Sequence, residues 1–377
     1  MSLRPLGPLL LGLAAGFFLA ACKEFARLPE PEATLVEPVT AHRGMERGPY
    51  TLTSILPEAF DVYMAEAPGD LTDGELVGRI DAGDPDAPAE LLVPVVRPDT
   101  RYYFRLVGEA GTVVRVSERR LPLEGADNFR DLGGLPAADG KHIRWGQFYR
   151  ADKLDELTAG DLAYLRSLDL RSVVDLRSEE EIAAAPDVLP KGPDDEEVEY
   201  VHLPIYNEAE DTTDIRGRIL AGTFGRDEAD NLLVEVNRLL ATSEAYRFRP
   251  FTDLIQEPSR VPVVYHCTSG KDRTGFATYL LLHALGVDSA LVFNDYEMSN
   301  YYRYDRNRRN LRKANFGQYL KPVDPEVLKP LMLVDPTYLQ AAVEEIEAAY
   351  GTVDTFLREE YGLRKEDKAA LRARYLY

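Results

Sequence analysis

The residues best suited to chemistry in this chain are His266-Cys267-Thr268-Ser269-Gly270-Lys271-Asp272-Arg273-Thr274-Gly275, where a cysteine and an arginine stand at the two ends of a short glycine-containing loop. A thiolate is a strong nucleophile, and a guanidinium is a planar fork that fits two phosphate oxygens at once and keeps its charge. Such a pair needs a rigid mount. Val261-Pro262-Val263-Val264-Tyr265 is a short β-rich apolar run, which predicts a buried parallel strand, and Phe276 to Leu285 is apolar nearly all round until Gly286, which predicts a buried helix. The loop then joins a strand to a helix N-terminus. Unpaired N–H groups and the positive end of the helix dipole favour a dianionic phosphate there, and a thiolate beside it.

Cys-x5-Arg followed by Thr-Gly resembles the cysteine-dependent phosphatases, the superfamily of the protein tyrosine, dual-specificity and phosphoinositide phosphatases. The resemblance implies that Cys267 attacks phosphorus to give a phosphocysteine, that Arg273 holds the equatorial oxygens, and that the Thr274 hydroxyl hydrogen-bonds the sulfur. Thr268, Ser269 and Gly270 would complete the phosphate cradle, and water would then release phosphate. The Lys-Asp-Arg version is similar to a bacterial branch of tyrosine phosphatases that includes secreted enzymes acting on phosphoinositides and phosphoproteins. In that branch Asp272 is the favoured general acid and Lys271 helps bind further substrate phosphate. A purely structural Asp272, holding Arg273 or Lys271 in place, is the other reading.

Three more segments extend the resemblance over about residues 124–377: Asn128 to Gly134, Gly146 to Asp152, and Val173-Val174-Asp175-Leu176-Arg177. Asp295 to Asn300 is similar too. Val173-Val174-Asp175 reads as a buried strand, and ligands of open α/β sheets bind beyond the carboxyl ends of strands. Asp175 and Arg177 are therefore expected at the pocket, as substrate contacts or as an ion pair anchoring the loop. Asp175 is the second candidate for the general acid. Asn128, Arg130 and Asp131 sit in a Gly-flanked turn, where bonding to backbone explains them.

The expected fold class is α/β: a doubly wound, mostly parallel sheet over residues 122–377, of the cysteine-dependent phosphatase type, preceded by a small all-β sandwich over 36–121. Strands are predicted at Tyr50–Thr53, Ala59–Met64, Leu91–Val96, Tyr102–Val107 and Thr112–Ser117, between clusters of Pro, Gly and Asp. Arg97 to Phe104 resembles the loop and strand of a fibronectin type III sandwich, which implies a spacer or protein-binding module. Leu232, Leu233, Val236 and Leu239 have helical spacing, in a stretch placed to act as a lid or a plain connection. Two or three helices are expected after Pro336, one of them Tyr338–Tyr350 ended by Gly351.

At the other end, Arg4 precedes an apolar run from Leu9 to Ala21, too short to span a bilayer and finishing in Leu19-Ala20-Ala21-Cys22. Residues 1–22 thus read as a secretory signal whose end resembles a bacterial lipobox. That resemblance implies acylation of Cys22, a tether over 23–35, and an exported protein anchored to a membrane on its periplasmic or cell-surface side. The chain has two cysteines. With Cys22 lipidated, Cys267 has no disulfide partner, which suits a nucleophile in an oxidising compartment.

A formal net charge of -20 argues against a nucleic-acid-binding surface. Salt screens that charge beyond about 8 Å, so the local positive loop governs anion binding. Arg303, Arg306, Arg308, Arg309, Arg312 and Lys313 form a basic run, read as a solvated helix face or as a patch steering polyanions. The histidines are scattered without metal-ligand spacing, and neither metal nor cofactor is expected. A rhodanese-type sulfurtransferase also uses a loop cysteine at a helix N-terminus, and a phosphatase fold can serve as a phospho-ligand binding protein. The arginine, threonine and lysine of the loop speak for phosphate over sulfur transfer, and an intact Cys267, Asp272 and Arg273 for turnover.

Overall fold

The structure, a computed structural model, describes residues 27–33, 37–69, 74–192, 195–205, 212–317 and 324–377. The leader with Cys22 and part of the tether lie outside these residues. Seven strands come first: β1 (Val39–His42), β2 (Tyr50–Ser54), β3 (Phe60–Ala65), β4 (Glu75–Ile80), β5 (Ala89–Val93), β6 (Tyr103–Gly108) and β7 (Val113–Ser117). They form two antiparallel sheets, ordered β1-β2-β5 and β4-β3-β6-β7. Alternate residues such as Tyr50 and Leu52 of β2 and Phe60 and Val62 of β3 point into one shared core. β1 and β4 are strands that the sequence pattern does not announce. Four residues are too few to show alternation, and Gly78 interrupts an edge strand whose side chains are mostly exposed or half-buried.

A third sheet is ordered β11-β10-β12-β9-β8, from β8 (Arg130–Asp131), β9 (Phe148–Ala151), β10 (Ser172–Asp175), β11 (Glu199–His202) and β12 (Val263–His266). Four strands run parallel and β8 antiparallel to β9. The helices are α1 (Ala159–Arg166), α2 (Glu179–Ala184), α3 (Thr212–Ala221), α4 (Arg226–Ala241), α5 (Arg249–Leu254), α6 (Asp272–Leu285), α7 (Ser289–Tyr302), α8 (Tyr304–Gly317), α9 (Leu328–Met332), α10 (Pro336–Tyr350), α11 (Val353–Tyr361) and α12 (Lys365–Tyr375). β12 is central and wholly buried, as its unbroken Val-Val-Tyr run requires. On one face Val264, Val173 and Tyr149 pack with Tyr164 and Leu165 of α1. On the other, Val263, Tyr265, Val174 and Phe148 meet α6 and the C-terminal helices.

The N-terminal sandwich is no detached spacer. Arg101, fully buried, reaches out of it to donate to Asp131 Oδ2 at 2.7 Å and to the Tyr149 hydroxyl at 2.8 Å. Arg47 bonds Asp161 Oδ1 at 2.6 Å and the Gly160 carbonyl at 2.7 Å, while Trp145 enters the sandwich core. Asp131 belongs to β8 and follows Arg130, so the sandwich braces the edge strand of the parallel sheet.

Candidate active site

Cys267 directly follows β12 and Asp272 begins α6, so the loop between them is a strand-to-helix junction. Gly270 makes the tight reversal: its φ of 64° lies in the left-handed region, and a Cβ there would stand 2.2 Å from the Ala151 carbonyl oxygen. Three successive loop carbonyls face away from the cavity into a ring of donors. Thr268 O accepts from the Lys153 amide at 3.3 Å, Ser269 O from Asn128 Nδ2 and Arg303 Nη1 at 3.1 Å each, and Gly270 O from Asn128 Nδ2 at 2.9 Å and Arg150 Nη2 at 2.8 Å. A trans peptide points its N–H opposite to its C=O. The amides of Ser269, Gly270 and Lys271 therefore turn inward.

The donors are themselves fixed. Asp295, fully buried, accepts from Arg130 Nε at 2.8 Å and from Arg150 Nη1 at 2.6 Å. Arg130 Nη1 in turn donates to Asn128 Oδ1 at 2.5 Å, which leaves the Asn128 amide NH2 aimed at the loop. Burial pushes the Asp295 carboxyl up, but the two guanidinium charges outweigh it and hold it at about 2. Asn128 and Arg130 thus act on the loop through structure, as the turn suggested. The positions of Asp295 and Arg303 in this ring were not foreseen.

Inside the loop, Cys267 is buried, and no disulfide partner exists for it among the described residues. It opens with Thr268, Ser269, Lys271, Asp272 and Arg273 onto a cavity of about 480 Å3. Ile215, Ile219 and Leu220 of α3, Leu232 and Leu233 of α4, and Leu328 and Leu331 of α9 wall it with aliphatic carbon. Helices α3 and α4 of the 206–250 stretch therefore supply a wall of the site. Lys271 Nζ stands 2.9 Å from Asp272 Oδ2 and 6.0 Å from the Tyr338 ring centroid. Tyr296 donates to Asp272 Oδ1 at 3.4 Å.

Two groups of expected site residues lie elsewhere. Asp175 and Arg177 do not line the cavity: they form a buried pair, Arg177 Nη2 to Asp175 Oδ2 at 2.7 Å, with Arg177 also bonded to the Ala185 carbonyl and Asp187. Burial raises the Asp175 carboxyl, but the Arg177 hydrogen bonds and the neighbouring His266 prevail and hold it at about 2. Asp175 is thus engaged by Arg177 and absent from the cavity lining. Asp175, Asp187 and His266 place ligand atoms within 4.8 Å of one another, yet Arg177 already fills that group with a cation. A metal would have to displace it. Gly270 and Thr274 sit behind the cavity surface. Thr274 is fully buried, and its Oγ1 forms no hydrogen bond among the described residues, so the expected bond to sulfur is not made here.

Glu181 is the residue that sequence reasoning missed. It stands three positions after Ser178, and its carboxylate accepts from the Ser178 amide at 2.9 Å, completing a capping box at the start of α2. The same carboxylate grips both Arg273 Nη atoms, at 2.6 and 2.8 Å, and takes a hydrogen bond from Thr268 Oγ1. The Ser-x-x-Glu spacing was a visible signal for the cap, but gave none for the arginine. Burial pushes the Glu181 carboxyl up; Arg273 overrides it and brings it to about 2, against an ordinary 4.5. A carboxyl lowered in the folded state contributes stability that is present above 4.5 and lost as pH falls toward 2. Thermal melts stepped through that window should fall steeply for the parent and more shallowly for Glu181→Gln. Equal slopes would mean that the pair does not couple to folding.

The family model of the tyrosine phosphatase family matches residues 121–377, the segment that carries the loop, its donor ring and the cavity. The chain belongs to the tyrosine phosphatase family. It is an enzyme of that kind, and phosphorylated molecules are its substrates. It is 33% identical over 273 residues to a protein of Cupriavidus necator named as a tyrosine-protein phosphatase, covering 72% of this chain and 94% of that one. It is 30% identical over 269 residues to the triple specificity protein phosphatase PtpB of Mycobacterium tuberculosis, covering 64% of this chain and 93% of the relative. A tyrosine-protein phosphatase of Nostoc commune is 28% identical over 182 residues, or 48% of this chain and 58% of that one.

Proposed function

We propose that this phosphatase hydrolyses phosphate monoesters through Cys267, with Arg273 and the inward amides as the phosphate seat and Asp272 as the acid. The observation that carries the reading is the ring of donors on the loop's outer carbonyls, which turns three amides toward the space that Cys267 and Arg273 share. Cys267 Sγ forms a bond to phosphorus as the bond from phosphorus to the ester oxygen breaks, and Asp272 gives its proton to that oxygen. Water then attacks the phosphocysteine, its proton passes to Asp272, and phosphate leaves as the thiolate is restored. Arg273, preset by Glu181, stabilises the charge on the equatorial oxygens in both steps.

The cavity's aliphatic walls and its floor lysine suit a phosphate carried on an apolar or a further-charged group. Phosphotyrosine proteins, phosphoinositides and inositol phosphates fit that description, and the triple specificity of a relative supports breadth. The three-on-four strand order supports a fibronectin type III-like sandwich ahead of the catalytic part. Leu19-Ala20-Ala21-Cys22 supports export and lipid anchoring through Cys22.

The test is phosphate release by the leaderless protein from phosphotyrosine peptide, phosphoserine peptide, phosphoinositide and inositol hexakisphosphate, with Asp272→Asn in parallel. Release from at least one is expected, with kcat lowered about 10²- to 10⁴-fold in the variant and less for an activated aryl phosphate. Silence across the panel from a folded, reduced sample would sink the proposal, and an Asp272→Asn enzyme at parental speed would reassign the acid.

A further inference from the structure

A second cavity, of about 570 Å3, opens between α11, α12 and the turn around Lys141, and shares no residue with the nucleophile-loop cavity. Both helices divide their charge across it. On α12 the cavity is faced by Lys365, Lys368 and Arg372, one stripe at i, i+3 and i+7, while the intervening Glu366 and Asp367 are absent from its lining. On α11 Arg358 faces it and Glu359 and Glu360 do not. Lys141 and Arg364 close the ring. Six cations thus meet two carboxylates, Asp139 and Asp354, in a chain whose formal net charge is -20.

One of those carboxylates is already taken, because Asp354 pairs with the buried Lys368. Arg372 is anchored by Nε on the Ala284 carbonyl at 3.0 Å, which holds its guanidinium beside Gly286. The pair between Arg358 and Glu359 at 2.9 Å joins two half-exposed groups and is worth little. Lys141, Arg364 and Lys365 have no ionic partner among the described residues. Like charges gathered around one concavity repel each other and focus a positive field into it. A multiply charged anion relieves that repulsion, and the volume is that of a small-molecule site.

We propose that this cavity is a second anion site, taking a soluble, compact polyphosphorylated molecule whose clustered phosphates bridge the α11 and α12 cations. It lies outside the reaction described above and stands independently of it.

The test is calorimetric titration of inorganic tripolyphosphate into the Cys267→Ser protein, with and without Arg358→Glu, Arg364→Glu and Lys365→Glu together. Binding weakened at least tenfold by the triple change, with a salt dependence that shrinks in step, is the expected result. With Cys267 restored, the triple variant should release phosphate from an aryl phosphate at the parental rate, which shows that it folds. If that rate is lost, the same three positions changed to Gln carry the comparison. Undiminished affinity in a folded triple variant overturns the proposal, as does binding that disappears on Arg273→Lys alone. Capture by anionic lipid vesicles with no binding of tripolyphosphate would overturn the soluble ligand.

Discussion

Cys267→Ser leaves a folded protein whose phosphate release falls by about four orders of magnitude or more. The thiol makes no structural bond that would be missed: the loop's shape is set by Asn128, Arg150 and Arg303 on its outer carbonyls and by Gly270 at its reversal. Serine keeps the volume and replaces sulfur by a hydroxyl, a poor nucleophile without an adjacent base. The phosphate seat remains, so the variant should still bind a phosphorylated ligand. Steady-state release together with ligand titration checks both halves. A variant retaining even a hundredth of parental turnover would place the nucleophile elsewhere.

Asp295→Ala should cost about 3–5 kcal/mol of stability and most of the activity. Its carboxylate sits between Arg130 and Arg150 with all three residues fully buried, so its loss strands two guanidinium charges in low dielectric. The damage reaches the site along two routes. Arg130 no longer fixes Asn128, and Arg150 no longer holds the Gly270 carbonyl, so the inward amides lose their orientation. Urea denaturation gives the stability term, and kcat/KM measured well below the midpoint gives the second. A loss under 1 kcal/mol would show that the two arginines find other partners. A stability loss with unchanged kcat/KM would confine Asp295 to folding.

The strands that the sequence announces are those whose side chains alternate or run apolar for long enough, such as Tyr50–Ser54 and Val263–His266. β1 and β4 escape that test because one is a four-residue strand with no apolar run and the other is an edge strand interrupted by Gly78. The sandwich reads from sequence as a module apart, since nothing in the local pattern around Arg101 reveals that its charge is spent on Asp131, thirty residues later.

The grouping within the loop was legible by itself because it is local: a cysteine, five residues, an arginine, with a strand before and a helix after, bring thiol, amides and guanidinium to one junction. Which groups aim that loop was not legible, because they are charge pairs closed over long distances in the chain. Glu181 reaches Arg273 across 92 positions and Asp295 reaches Arg130 across 165. Asp175 and Arg177 show the converse: of the two roles the sequence left open, the structure forms the ion pair and leaves both residues off the cavity lining. A carboxylate and a guanidinium two residues apart satisfy each other in the protein interior, where an unpaired charge is costly, so they turn together away from the cavity. Spacing determines which reactive groups share a loop; burial and pairing, which only the folded chain completes, decide which of them face the substrate.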